Sequence, residues 1–254
     1  MFDIVPVSAF SDNYIWIIHD QHHAVVVDPG ESKQVFKFLE QKKLKPIAIL
    51  ITHHHADHVG GNKELLQQFS VPVYGPANES ISTVTHHLKE GDSIYLSELS
   101  IRFSILDVPG HTSGHIAYYG ANLLFCGDTL FSCGCGRLFE GTAQQMYISL
   151  NKLIRLPNRT KVYCSHEYTL SNINFARLIE PGNQVLKELE VSAKRQRALD
   201  RPTLPSTIEI EKSCNPFLRC NQEEIIHNSS KYIGQPLLDP ISVFSVVREW
   251  KNNI

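Results

Sequence analysis

Up to Cys164 the chain sets short apolar and β-branched runs between turn-forming residues. Tyr14 to Ile18 and Ala24 to Val27 read as strands, and Asp28-Pro29-Gly30 stops the second. Ser32 to Lys43 repeats apolar residues at helical spacing, with Val35, Phe36 and Leu39 on one face. Pro46 opens Ile47 to Ile51, a continuous apolar run of the kind that forms a strand covered on both faces. After Gly60-Gly61 the spacing predicts a helix over Lys63 to Phe69, then a short strand over Val71 to Tyr74. Ser93 to Leu96 with Ser100 to Leu106 predicts a hairpin or meander. Ile116 to Tyr119 with Asn122 to Cys126 predicts a second strand pair, turning at Gly120. A helix over Gln144 to Leu156 and a last strand over Lys161 to Cys164 complete this part.

From about Asn172 onward the strand signal fades. Glu180-Pro181-Gly182-Asn183 is a break and a helix start, and Gln184 to Leu199, Glu223 to Ile233 and Ile241 to Trp250 read as helices. The expected organisation is a mixed α/β domain over residues 1–170 and a small helical domain over residues 171–254.

Composition narrows the function classes. With 254 residues, 42% of them hydrophobic, the chain can bury a sizeable core. A net charge of -2 and the lack of a polybasic block argue against nucleic acid or an anionic membrane surface as partner. Met1 to Ile18 is not a secretory signal, because no Lys or Arg precedes its apolar residues and Ser11-Asp12-Asn13 interrupts them. No apolar run is long enough for a membrane span. The expectation is a cytoplasmic monomer acting on a small molecule. Six scattered cysteines are too sparse for a disulfide scaffold, and the one close pair, Cys133-Gly-Cys135, lacks the second pair a zinc ribbon needs.

The chain has 13 histidines, and their placement carries the chemistry. His53, His55, Asp57 and His58 fall in one tight loop directly after the buried run ending at Ile51. A loop held by a rigid strand can aim several ligands at one point, and imidazole nitrogen with carboxylate oxygen suits Zn²⁺. Four such groups in six positions would be costly to cluster without a cation. His111, Asp128 and His166 each lie just past the end of a predicted strand, in Val108-Pro109-Gly110-His111, Cys126-Gly127-Asp128-Thr129 and Ser165-His166-Glu167. His19, His22, His86 and His227 read as ordinary surface histidines, and His54 as a loop residue pointing away from its neighbours. Asp28 and Thr52 are candidates to orient the ligands from behind.

His53-His54-His55-Ala56-Asp57-His58 resembles the H-x-H-x-D-H signature of the metallo-β-lactamase superfamily, and His111, Asp128 and His166 match the remaining ligand positions in order and context. The resemblance implies an αββα sandwich with a two-metal site at one sheet edge. His53, His55 and His111 would hold one divalent ion, Asp57, His58 and His166 the other, and Asp128 would bridge them. Zinc is the expected metal, with iron or manganese also accepted by such donors.

Gly127-Asp128-Thr129-Leu130-Phe131, Gly134-Cys135-Gly136-Arg137-Leu138-Phe139-Glu140-Gly141-Thr142, His166-Glu167-Tyr168-Thr169 and Asn174-Phe175-Ala176-Arg177 resemble glyoxalase II more narrowly. This likeness runs nearly the full chain, from Phe10-Ser11-Asp12-Asn13-Tyr14 onward. It implies a hydroxyacylglutathione hydrolase that splits S-D-lactoylglutathione into D-lactate and glutathione, the second step of methylglyoxal detoxification. A hydroxide between the two metals would be the nucleophile, with no catalytic side chain beyond the ligands. Arg248 and Lys251, three apart on a predicted helix, share one face. By the resemblance they would meet the glycine carboxylate of glutathione, with Arg137, Phe139 and Tyr168 completing the substrate site. On residue pattern alone, an ordinary solvated basic face is an equal reading of Arg248 and Lys251. Some glyoxalase II members carry Lys and Tyr where this chain has Arg137 and Phe139, so the hydroxyl donor is lost at the second position. The alternative is another hydrolase of the superfamily, a lactonase, phosphodiesterase or general thioesterase. A metal-binding module without catalysis would be signalled by loss of a ligand, and all seven are present.

Overall fold

The structure is a computed structural model and describes residues 2–254. The chain divides into two compact units, one running to Asp107 and resuming over Ser113–Gly127, the other comprising Val108–Thr112 and Asp128–Ile254.

The first unit contains β1 (Asp3–Ala9), β2 (Asn13–His19), β3 (His23–Val27), α1 (Lys33–Lys42), β4 (Lys45–Leu50), α2 (Ala56–Val59), α3 (Asn62–Gln68), β5 (Val73–Pro76), β6 (His86–Leu88), β7 (Ser93–Leu96), β8 (Ile101–Asp107), β9 (Ile116–Gly120) and β10 (Leu123–Gly127). One sheet has the order β1-β2-β3-β4-β5-β6, antiparallel from β1 to β3 and parallel from β3 to β6. Strands β3 and β4 read as unbroken apolar runs because they are central and covered on both faces. α1 lays Val35 and Leu39 on this sheet, in a core with Ile15, Ile17, Val26 and Ile49. It stops at Lys43, whose left-handed backbone returns its N–H to the carbonyls of Leu39 and Glu40.

Strands β7 to β10 form an antiparallel meander. β8 shows the alternation of a half-buried strand, with Ile101, Phe103 and Ile105 inside and Arg102 and Ser104 outside. The β9–β10 turn is formed by Ala121 and Asn122, both at positive φ (51° and 61°), while Gly120 ends β9. Two left-handed residues in succession match the right-handed twist of the flanking strands. The buried Tyr118 hydroxyl on β9 donates to the Ile51 carbonyl at 2.8 Å, with the Tyr74 carbonyl 3.1 Å away.

The second unit contains the hairpin β11 (Leu130–Phe131) and β12 (Gly134–Cys135), α4 (Ala143–Leu153), β13 (Lys161–Cys164), α5 (Thr169–Ile179), α6 (Gln184–Ala198), β14 (Ser206–Thr207), α7 (Ile208–Cys214), α8 (Glu223–Ile233) and α9 (Pro240–Asn252). β13 pairs antiparallel with β14. Four of these helices begin where side chains satisfy their first N–H groups: a Thr142/Gln145 capping box on α4, Asn183 on α6, Thr207 on α7, and Asp239 followed by Pro240 on α9. Phe175, Phe217 and Phe244 pack ring against ring among them. No helix among the described residues is long and apolar enough to cross a membrane.

The predicted strands and long helices are present, Ser93–Leu96, Lys161–Cys164 and Glu223–Ile233 with the expected bounds and the others with shifted ends. Further elements that the sequence pattern does not announce are β1, α2, β6, the β11–β12 hairpin, α5, β14 and α7. β1 is a half-buried edge strand that carries Pro6, and edge strands tolerate the proline that sequence patterning reads as a break. α5 starts without a capping side chain, and Ser171, Asn172 and Asn174 obscure its apolar face.

Candidate metal centre

In the first unit, β3 and β4 end side by side, and the two chain segments that leave them build the donor cluster. Asp28 follows β3 in the left-handed region (φ 51°) and is buried. Its Oδ1 accepts the Thr52 N–H at 2.8 Å, and its Oδ2 accepts the Thr52 hydroxyl at 2.8 Å. Because that hydroxyl has only one proton and a carboxylate can only accept, Thr52 Oγ1 must accept from His53 Nδ1, 3.1 Å away. His53 therefore carries its proton on Nδ1 and presents a bare Nε2, which faces His55 Nδ1 at 3.1 Å. His58 Nδ1 lies 3.1 Å from Asp28 Oδ2, and its Nε2 lies 3.4 Å from Asp57 Oδ2. Asn13, at the head of β2, donates to that same Asp57 oxygen at 2.9 Å.

The chain must be glycine at 127. Gly127 sits at φ 48°, and a Cβ there would lie 2.3 Å from Thr52 Oγ1 and 2.8 Å from His115 Nε2. His115 itself is fully buried and stacks on the His53 ring, with centroids 4.6 Å apart. His54 turns aside, its Nδ1 3.0 Å from the Glu79 carboxylate.

In the second unit, His111, Asp128 and His166 are all buried. His111 Nδ1 donates to the Arg137 carbonyl at 2.8 Å, since a carbonyl only accepts, so His111 also presents a bare Nε2. That nitrogen is 3.5 Å from Asp128 Oδ2, and His166 Nε2 is 3.2 Å from the same oxygen. Gly136 permits this approach, because a Cβ there would meet the Asp128 carbonyl at 2.0 Å and His111 Nδ1 at 3.0 Å. Tyr168 stacks flat on His166 (4.7 Å, 7°), and Phe131 closes on both rings edge-on. Phe139, 63% exposed, stands edge-on to His111 at 5.3 Å. The Arg137 side chain is exposed.

The donors are chemically right for a divalent cation. Each unit gathers imidazole nitrogens and carboxylate oxygens at one place, and His53 and His111 have their proton fixed on the remote nitrogen by an oxygen acceptor. That arrangement is how proteins prepare a histidine to ligate. Lone pairs facing one another at this spacing repel unless a positive charge lies among them.

Arg248 and Lys251 on α9 are not a solvated face. Arg248 is 4% exposed, donates to the Cys135 carbonyl at 2.8 Å and lies over the Phe217 ring at 5.0 Å. Lys251 donates to the Asn172 side chain, and its ammonium stands 5.9 Å from the ring centres of Phe175 and Phe217. Burial, reinforced by the neighbouring Arg248 charge, pushes the Lys251 pKa down to about 7. Two half-dehydrated cations on one helix face suit an anion.

The sequence alone assigns no site role to Asn13, His115 or Asn172. Asn13 is a polar residue heading a buried run, and His115 follows His111 by four. Asn172 gives no comparable signal.

A family model described as the metallo-beta-lactamase superfamily matches residues 9–166, and one described as the hydroxyacylglutathione hydrolase C-terminus matches residues 167–254. The hydroxyacylglutathione hydrolase of Nitrosomonas europaea is 59% identical over 253 residues, spanning 100% of this chain and 97% of that protein. That of Nitrosomonas eutropha is 57% identical over 253 residues, spanning 100% and 99%. Among solved structures, ETHE1 from Myxococcus xanthus aligns with a TM-score of 0.66 at 27% identity, covering 99% of this chain and 98% of that one. These relatives do not favour the alternative hydrolase activities. The expected fold class holds: mixed α/β sheets of the αββα metallo-β-lactamase type with a helical C-terminal part. The chain belongs to the hydroxyacylglutathione hydrolase family of the metallo-β-lactamase superfamily.

Proposed function

We propose that this protein hydrolyses S-2-hydroxyacylglutathione thioesters, S-D-lactoylglutathione foremost, to the hydroxy acid and glutathione. The observation that carries the reading is full-length identity of 57–59% to proteins named hydroxyacylglutathione hydrolase. In this reading His53, His55 and His111 would hold one divalent ion and Asp57, His58 and His166 a second, with Asp128 serving both, and zinc would be the native metal. Residues 1–170 carry the chemistry and 171–254 contribute to substrate binding, a division that parallels the two family matches meeting at 166 and 167. The protein acts as a cytoplasmic monomer.

Divalent ions, when bound, polarise a carbonyl and make water acidic near neutral pH. The chain's own residues supply the rest. Thr52 holds the outer proton of His53 and the Arg137 carbonyl that of His111, which turns their inner nitrogens toward a ligand, and the Asp28 carboxylate stands beside the outer nitrogen of His58. Arg248 and Lys251 receive the glycine carboxylate of glutathione, and Arg137 and Tyr168 the remainder of the peptide. Phe139 offers a ring edge without a hydroxyl. The departing thiol has an ordinary pKa of about 8.5, so it leaves without a general acid.

The test is thiol release from S-D-lactoylglutathione by purified protein of measured metal content, beside a thioester lacking glutathione. Rapid turnover of the first alone is expected. Inactivity of protein carrying two metals per chain would overturn the assignment.

A further inference from the structure

The β11–β12 hairpin turns through Ser132 and Cys133, and Cys133 adopts a left-handed backbone (φ 56°) uncommon for a residue with a side chain. Its sulfur lies 3.2 Å from that of Cys214, the last residue of α7. Both cysteines are fully buried, and 81 residues separate them in the chain. The contact is closer than two sulfurs ordinarily pack, and a disulfide needs them about 2.0 Å apart.

Glu211, one turn before Cys214, lies in the same cluster. Its carboxylate is already committed: Oε1 accepts from Ser206 at 2.5 Å, and Oε2 from the Cys133 N–H at 2.8 Å and from Asn215 at 3.0 Å. A metal would find two sulfurs and an occupied carboxylate, which is a poor donor set. Two facing thiols are a good precursor for a covalent bond.

We propose that Cys133 and Cys214 are a redox modification site, a buried dithiol that closes to a disulfide under peroxide and staples the β11–β12 hairpin to α7. One sulfur, as its thiolate, attacks a peroxide oxygen. The O–O bond breaks, water leaves with the thiol proton, and a sulfenic acid forms. The second sulfur displaces water from it and the S–S bond closes. In sum, two thiols and one hydrogen peroxide give one disulfide and two waters. The contact with Cys133 pushes the Cys214 thiol far up, as does burial, so the step is slow and waits on local opening. The staple bears on function through the hairpin, because the segment from Asp128 to Arg137 contains it and Arg248 bonds the carbonyl of Cys135 at its end. A transient disulfide of this kind suits a reducing compartment in which structural disulfides are rare.

The experiment treats the metal-loaded full chain with excess hydrogen peroxide for hours, then counts thiols after denaturation and maps cross-linked peptides by fragmentation. The expected result is loss of two of the six thiols, one linkage joining Cys133 to Cys214, and reversal by dithiothreitol. Closing a loop of this length should raise the thermal midpoint by roughly 10 °C, a rise absent from Cys133→Ala and Cys214→Ala. Retention of all six thiols, or a linkage through any other cysteine, would overturn the proposal. Neither result depends on turnover of any thioester.

Discussion

Asp28 Oδ2 lies 3.1 Å from His58 Nδ1, and both residues are almost wholly buried, so a carboxylate charge stands directly behind the imidazole and favours a proton on the nitrogen that faces it. Asp28→Asn tests this without disturbing the backbone, because asparagine also tolerates the left-handed conformation found there. The amide keeps the shape but loses the charge that strengthens the His58 nitrogen as a donor. Metal affinity should fall on the order of 10–100-fold, with the far-ultraviolet circular dichroism unchanged. Competition against a metallochromic chelator reads the change, and wild-type affinity in the variant would show that Asp28 serves only the turn.

Removing Asp128 should be more severe. His111 and His166 both point their Nε2 atoms at its Oδ2. In Asp128→Ala the shared oxygen is gone, and the bound metal should drop below two ions per chain while thioesterase activity falls by at least about a thousandfold. Elemental analysis of the same preparation used for the assay decides the matter. Undiminished turnover by verified metal-poor protein would rule out the two-metal reading.

The donors were legible in the sequence because chemistry of this kind sits where strands end. His53 follows β4, Asp128 follows β10 and His166 follows β13, and each strand announces itself by an apolar run. What holds the donors was harder to see. Asp28 and Thr52 could be suspected from their places at two adjacent strand ends, whereas Asn13 and His115 reach their partners only through tertiary packing. The same holds for Arg248 and Lys251. Their spacing gave a common face, but nothing local distinguishes a face turned to water from one laid on Phe175 and Phe217. Elements that lack a periodic apolar pattern, such as α5 and the β11–β12 hairpin, were invisible for the same physical reason.

Phe139 is 63% exposed and meets His111 by its edge, so a hydroxyl added to the ring reaches solvent or substrate rather than the core. Phe139→Tyr should leave the thermal midpoint within a degree or so and lower KM for S-D-lactoylglutathione several-fold, the worth of about one hydrogen bond. kcat should hardly move. An unchanged KM would remove Phe139 from the substrate site.

Lys251 makes the substrate affinity depend on pH. With its pKa pushed down to about 7, the side chain is charged below that pH and increasingly neutral above it. An anionic ligand favours the charged form, so above pH 7 binding must take up a proton. KM for a glutathione thioester should therefore rise as pH climbs from 6.5 to 8.5, by up to about tenfold per unit. Lys251→Arg, which keeps its charge throughout, should flatten this limb. A wild-type KM that is constant over the same range would show that Lys251 does not meet the ligand.

Arg248 offers a sharper version of that test, because its charge is one reason the Lys251 pKa is low. Arg248→Met keeps an unbranched side chain to pack on Phe217 but removes the cation and the bond to the Cys135 carbonyl. Losing a buried hydrogen bond to a charged group should cost about 1–3 kcal/mol of stability, visible as a lower thermal midpoint. KM should rise at every pH, since one of two cations is gone. The informative readout is the pH profile. Without a neighbouring positive charge Lys251 holds its proton more tightly, so the upward limb of KM should move to higher pH even as the whole curve rises. A purely structural Arg248 would weaken the fold and leave that limb where it was.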